Sequence, residues 1–259
     1  MVVRIDLNAD VGESYGAYRY GDDEGVFPFV SSANIACGFH AGDPGVMRST
    51  VQLAGRHGVA IGAHPGFQDL LGFGRREMHL SPSEVENLVA YQVGALAGIA
   101  AAEGARLSHV KPHGALYNMA ARDAALADAI VRAVLGVDPS LVLFGLSGSQ
   151  LIAAGDRARL RVASEVFADR GYRPDGSLAR RGTPDAVVTD AAEVARRAVG
   201  MASGQTVTAV DGTSVSVKAD TVCIHGDTPG AAALARAVRD ALVVAGIEIH
   251  PPGEDRGRR

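Results

Sequence analysis

Short apolar runs alternate with longer amphipathic ones along almost the whole chain, and this rhythm constrains the fold more than any other feature. Apolar runs read as strands at Val2–Leu7, Ser32–Cys37, Val59–Ala63, Leu107–Val110, Leu141–Leu146, Leu160–Glu165 and Thr221–His225, with a last short one at Ile247–His250. Between them, apolar residues at helical spacing predict helices over Pro44–His57, where Met47, Val51 and Ala54 share a face, over Asp123–Leu135 and over Ala231–Ala245. A further long helix opens at Ser81-Pro82-Ser83-Glu84, a cap serine followed by proline at the first helical position and glutamate three residues on. Strands joined through helices pair in parallel, either in an open sheet or in a closed barrel. One segment breaks the rhythm. Thr206–Lys218 alternates valine with polar residues around Asp211-Gly212, which predicts a β-hairpin insertion with a type I′ turn.

A chain of 259 residues suits a single (β/α) barrel, and no linker interrupts residues 1–250. The remainder, Pro251–Arg259, is proline, glycine and charge and is expected to be a disordered tail. A net charge of −4 and a pI near 6.1 argue against a nucleic-acid partner, which would call for a basic face. The opening MVVRIDLNAD has no signal-peptide layout, and no uninterrupted apolar run approaches the length of a membrane span. A cytoplasmic protein with no membrane partner is therefore expected. Cys37 and Cys223 lie in or beside apolar runs and read as buried reduced thiols.

The chemistry-bearing residues gather where the strands end. The first strand runs into Asn8, Asp10 and Glu13, and the second into Gly38-Phe39-His40-Ala41-Gly42-Asp43. His64-Pro65-Gly66 follows the third, Lys111-Pro112-His113-Gly114 the fourth, Glu165, Asp169 and Arg170 the sixth, and His225-Gly226-Asp227 the seventh. In a parallel α/β protein all these ends share one face, and contributions from six strands suit a closed barrel better than one crevice. A lone histidine at a strand end is more often a hydrogen-bonded structural group. Four of the eight histidines, accompanied by Asp, Glu and Lys, argue for a shared site. His57, His79, His109 and His250 lack that company and read as structural.

Phosphate-cradling motifs are missing: there is no G-x-x-x-x-G-K-[ST], and no G-x-G-x-x-G follows a strand. Gly145-Leu146-Ser147-Gly148-Ser149 is not a nucleophile elbow, because Gly148 directly follows Ser147; it reads as a strand-to-helix turn capped by Ser147. Asp10, His40, His64 and His113 are the right types to ligate zinc or another divalent metal, but their spacing supplies no geometry, and direct hydrogen bonding to a substrate is the other reading.

Six segments together carry a family resemblance: DLNADVGE (Asp6–Glu13), SANIACGFHAGDP (Ser32–Pro44), AIGAHPGFQDLLGFGRR (Ala60–Arg76), HVKPHGALYN (His109–Asn118), EVFADRGY (Glu165–Tyr172) and IHGDTPGA (Ile224–Ala231). They resemble the signature blocks of the LamB/YcsF family and reach from the first strand to the last helix. The resemblance implies an α/β fold, a seven-stranded (β/α) TIM-like barrel of the glycoside hydrolase/deacetylase type. It also implies the A subunit of a 5-oxoprolinase that works with subunits B and C. The reaction would convert 5-oxoproline, ATP and water to L-glutamate, ADP and phosphate, with ATP bound mainly by the partner subunits. For such a reaction Asp10 or His113 would be the base. Lys111 or Arg170 would hold a carboxylate or phosphate. His40, His64 and His225 would donate to the developing oxyanion, Glu165 and Asp227 would orient histidines, and Asn8 would contact the substrate. Two other readings stand beside it, a stand-alone metal-dependent deacetylase or amidase and a non-catalytic scaffold for subunits B and C.

Overall fold

The computed structural model describes residues 2–180, 182–225 and 230–253, with His225 described by its backbone alone. In chain order the strands are β1 (Arg4–Val11), β2 (Ser32–Ala36), β3 (Ala60–His64), β4 (Leu107–Val110), β5 (Val142–Leu146), β6 (Val162–Phe167), β7 (Val207–Thr208), β8 (Ser214–Val215), β9 (Thr221–His225) and β10 (Glu248–Ile249). The helices are α1 (Asp23–Val26), α2 (Pro44–His57), α3 (Pro82–Ala102), α4 (Gly114–Ala120), α5 (Ala124–Val137), α6 (Gln150–Arg157), α7 (Ala191–Ala202) and α8 (Ala231–Val244). Seven parallel strands close on themselves in the order β1-β2-β3-β4-β5-β6-β9, and the seam is the pairing of β9 with β1. Asn8 faces Ser32 in the register with β2 and Cys223 in the register with β9. The short β10 adds to the start of β1, with Arg4 opposite Glu248.

β1 is longer than its apolar run. The ladder continues through Asn8, Ala9, Asp10 and Val11 because the two faces of the strand have different surroundings. Ile5, Leu7, Ala9 and Val11 join the main apolar core, which also takes in helix residues such as Val51, Leu96, Ile130 and Val238. Asp6, Asn8 and Asp10 alternate with them and bond to one another's neighbours across the inside of the barrel. The main apolar core therefore lies between strands and helices. The inside of the barrel combines hydrogen-bonded polar side chains with a smaller apolar set on β5 and β6, where Phe144 stacks on His109 and Phe167 lies beneath Lys111.

The α3 capping box forms as the sequence predicts, with Ser81 and Glu84 satisfying each other's backbone N–H groups. α3 runs 21 residues and has the length and composition of a membrane-crossing helix, as core helices of barrels also can. Its buried stripe of Val85, Val89, Val93, Leu96 and Ala100 joins the core, as in a helix packed on a barrel. Ser149, not Ser147, caps α6, accepting from the N–H of Ile152; the Ser147 hydroxyl instead accepts from the Lys218 N–H. β7 and β8 pair antiparallel. Their turn differs from type I′: only Gly212 takes a positive φ, 88°, while its N–H bonds the Ala209 carbonyl at 2.9 Å. That is a type I turn ending in a left-handed glycine, which suits the longer loop between these two-residue strands. The expected tail lies mostly outside the described residues.

At the base of the barrel Asp6 accepts hydroxyl hydrogen bonds from Ser31 at 2.6 Å, Ser32 at 2.7 Å and Thr221 at 2.5 Å. Complete burial outweighs those bonds and lifts its carboxyl to about 6. A folded-state value above the unfolded one stabilises the fold at low pH, and this contribution disappears as pH rises from about 4 through about 6. We expect Asp6→Asn to remove that component, leaving the variant more stable than the parent at pH 7.5 by on the order of 2–3 kcal/mol, and little different at pH 4. Urea melts across that range test it; parallel pH profiles for parent and variant would refute it.

Candidate active site

The C-terminal ends of the barrel strands open into a cavity of about 1050 Å³ lined by Asp10, Glu13, His64, Lys111, His113 and Tyr117 among others. Its floor is a buried charge cluster. Lys111 Nζ lies 2.9 Å from Asp10 Oδ1, 2.8 Å from Glu165 Oε1, 3.2 Å from Asn8 Oδ1 and 3.0 Å from Cys223 Sγ. Burial opposes the ammonium, but Asp10, Cys223 and Glu165 outweigh it and raise Lys111 well above its ordinary value. The residue is thus a fixed cation between two carboxylates.

Asp10 is held by a chain of side chains running back into the barrel. Asn34 donates to Asp10 Oδ1 at 2.9 Å and to Asn8 Oδ1 at 2.7 Å, while its own oxygen lies 2.8 Å from His109 Nε2. Ser108 sits 2.9 Å from the other nitrogen of His109. Burial and then the nearby Lys111 push His109 down to about 3, so it stays neutral and structural, as the sequence reading expects. Asn8, expected to contact substrate, is wholly buried beneath the cavity, donating to Glu165 at 3.0 Å and Thr221 at 2.6 Å. Glu165, expected to orient a histidine, instead takes Lys111, Asn8 and the Tyr117 hydroxyl, the last at 2.7 Å.

Above this cluster stand three histidines. His64 Nδ1 is 2.7 Å from the Lys111 carbonyl oxygen, and its Nε2 is 3.4 Å from Asp10 Oδ2. His113 Nε2 is 2.8 Å from the Phe73 carbonyl, and its Nδ1 is 2.9 Å from His64 Nε2. Asp10 thus reaches His113 through His64. His40 stacks on His113 with ring centroids 3.8 Å apart. Burial, followed by the neighbouring rings, holds His40 and His113 below the ordinary imidazole range. This stack needs a glycine: a Cβ at Gly74, where φ is 63°, would lie 2.7 Å from His40 Cβ and 2.8 Å from His113 Cδ2. Gly12, with φ of 69°, turns the chain after β1, and Glu13 returns to within 3.7 Å of both His40 Nε2 and His113 Nδ1. Glu13, His40, His64 and His113 each offer one ligand atom within 4.8 Å of the others. Glu13 therefore joins the three histidines in place of Asp10, the residue that sequence reasoning grouped with them.

Arg170 lines the cavity, but its Nε and one terminal nitrogen hold the carbonyls of Ala186 and Ala179 at 3.0 and 2.6 Å. Its visible work is to tie down the loop after β6. Exposed Arg75, Arg122, Arg173 and Arg180 stand around the cavity and make its mouth cationic. The side chain of His225 and all of Asp227 lie outside the described residues. Cys37 and Cys223 are free and buried, as expected, and burial raises the Cys37 thiol to about 12.

A closed parallel barrel with acids, imidazoles and a lysine converging at its C-terminal strand ends is a (β/α) barrel of the kind that carries its chemistry on that face. The chain belongs to the LamB/YcsF family, whose model matches residues 5–256. It is 59% identical to the 5-oxoprolinase A subunit of Tolumonas auensis, over 96% of this chain and 99% of that one. It is 58% identical to the 5-oxoprolinase A subunit of Geobacillus kaustophilus, over 98% and 99% respectively. Among solved structures, the lactam utilization protein of Thermus thermophilus superposes with a TM-score of 0.90 at 54% identity, covering 95% of this chain and 99% of that one.

Proposed function

We propose that this chain is the A subunit of an ATP-dependent 5-oxoprolinase and houses the opening of the five-membered lactam to L-glutamate, with subunits B and C supplying the ATP-coupled step. Whole-length likeness to 5-oxoprolinase A subunits supports the substrate. The observation that carries the chemistry is the buried Asp10–Lys111–Glu165 cluster at the floor of the cavity. A lactam is an unactivated amide, so water attacks it slowly unless its oxygen is first phosphorylated, which makes the ring carbon electrophilic. Water then adds to that carbon, the C–N bond breaks as the nitrogen takes up a proton, and hydrolysis of the resulting acyl phosphate leaves L-glutamate and phosphate. After phosphorylation of that oxygen, the attacking water needs a base and the developing charge needs a nearby cation. Asp10 is the base, oriented by Asn34 and Lys111 through Oδ1. Lys111 supplies the fixed positive charge, and the arginines at the mouth attract the anionic substrate. The three histidines and Glu13 are donors suited to a divalent metal, which would add Lewis acidity beside the same carboxylate.

Glutamate release from 5-oxoproline by the purified chain, with and without ATP and subunits B and C, tests the reading. Release is expected only when all are present, and the isolated chain should bind ATP weakly because it lacks a phosphate-cradling loop. ATP-independent release by the chain alone would replace this reading with a stand-alone amidase. Tight ATP binding by the isolated chain, seen by calorimetry, would move the phosphorylating step into this chain.

A further inference from the structure

We propose that Glu13, His40, His64 and His113 form a binding site for one divalent transition-metal ion of the zinc class. The partners of each ring decide which nitrogens carry hydrogen. A carbonyl oxygen can only accept, so His64 Nδ1, 2.7 Å from the Lys111 carbonyl, bears the proton and Nε2 presents a lone pair. The same logic places the proton of His113 on Nε2, against the Phe73 carbonyl, and leaves a lone pair on Nδ1. Those two lone-pair nitrogens face each other at 2.9 Å. Carboxylates complete the set. Asp10 Oδ2 lies 3.4 Å from His64 Nε2, and Glu13 Oε1 lies 3.7 Å from His113 Nδ1 and from His40 Nε2. Acceptors converge on acceptors, an arrangement that only a cation between them makes favourable.

A shared proton and a metal ion are the two candidates, and His40 decides between them. It is wholly buried, and neither ring nitrogen has a hydrogen-bond partner among the described residues. Leaving a buried polar atom unsatisfied costs about 1–3 kcal/mol. A proton held between His64 and His113 would leave His40 in that condition, whereas a metal takes all three rings and Glu13 together. The second bonds of His64 and His113, N–H to backbone carbonyl, are those that fix ligating histidines in orientation and tautomer. Three imidazoles and one carboxylate favour zinc, cobalt or a neighbouring ion over magnesium or calcium, which take oxygen donors. Metal uptake requires neither substrate nor partner subunits, so it is measured independently of lactam opening, and its failure is distinguishable from failure of that reading.

The test uses the full chain, stripped with a chelator, dialysed, and titrated with cobalt(II) and zinc(II). One equivalent of either ion should bind, with the intense visible absorption of a low-coordinate cobalt site and a higher melting temperature on binding. His64→Gln and His113→Gln should lose the uptake, and His79→Gln, an exposed position outside the cluster, should keep it. A folded parent chain that takes up neither ion would overturn the proposal and leave a shared proton between the rings. Uptake that persists unchanged in folded His64→Gln would overturn it equally. Should both variants fail to fold, the parent's stoichiometry and cobalt spectrum decide alone: a weak spectrum typical of six oxygen ligands refutes the site.

Discussion

Asp10→Asn should fold as the parent does and lose turnover by about a hundredfold or more. The substitution suits the surroundings. Asn keeps a carbonyl oxygen where Asp10 Oδ1 accepts from Asn34 and Lys111, both at 2.9 Å. Its amide group would stand where Oδ2 lies, 3.4 Å from His64 Nε2, and could donate to that nitrogen. Shape and hydrogen bonding are thus retained, and the variant removes the charge and the basicity. His113→Ala should cost a similar factor, and the double variant little more than either alone, because both residues act through His64 as one unit. Steady-state glutamate release by the complex reconstituted with subunits B and C, read beside a thermal melt, makes the comparison. A well-folded Asp10→Asn with near-parental turnover would remove the carboxylate from the mechanism and make it a strand-end anchor.

Lys111→Met should lower stability by about 3–5 kcal/mol, since removing one partner of a buried ion pair leaves the other charges uncompensated. Here two carboxylates, Asp10 and Glu165, would be left facing each other inside the barrel without the cation between them, while Asn34 still donates to Asp10 and Asn8 and Tyr117 still donate to Glu165. For a chain of this size that corresponds to a melting temperature lower by roughly 6–20 °C. Adding Glu165→Gln should recover part of the loss, because it removes one of the stranded charges while Gln can still meet Asn8 and Tyr117. Chemical denaturation of the three proteins checks this. A single variant within about 1 kcal/mol of the parent would mean that the cation contributes nothing net to the fold.

The barrel was legible in the sequence because its outward strand faces are apolar and its helices carry an apolar stripe. Leu107–Val110, Thr221–His225 and Pro44–His57 have the boundaries read from periodicity alone. His40, His64, His113 and Lys111 could be found for the same reason, since residues at the ends of parallel strands must share a face. What lies inside the barrel was harder to read. Asp6, Asn34 and Thr221 sit within apolar runs, and only their period-two placement opposite Leu7, Ile35 and Val222 marks them as a second, inward face. Glu13 was visible beside Asp10, but nothing local says that the turn at Gly12 brings it back over the histidines. Tyr117 comes from a helix, and its role depends on the tertiary position of Glu165. Arg170 looked like an anion ligand; its use as a tie for the following loop follows from where Ala179 and Ala186 fold.

The seam between β1 and β9 also governs when the site can come into being. Asp6 to Asp10 pair with Thr221 to His225, so the barrel stays an open sheet until more than four-fifths of the chain is available. Until then Asn8 lacks Thr221, Lys111 lacks Cys223, and the inner polar face remains wet. Contacts so distant in sequence carry a large loop-closure cost before they return any stability, which makes closure a late and slow event. A ribosome-bound chain that has emerged only through β6 would therefore hold most of the chemical groups of the active site without their geometry. Its unpaired β1 and β6 edges would be its principal hazard, because both are templates for strand addition by another chain.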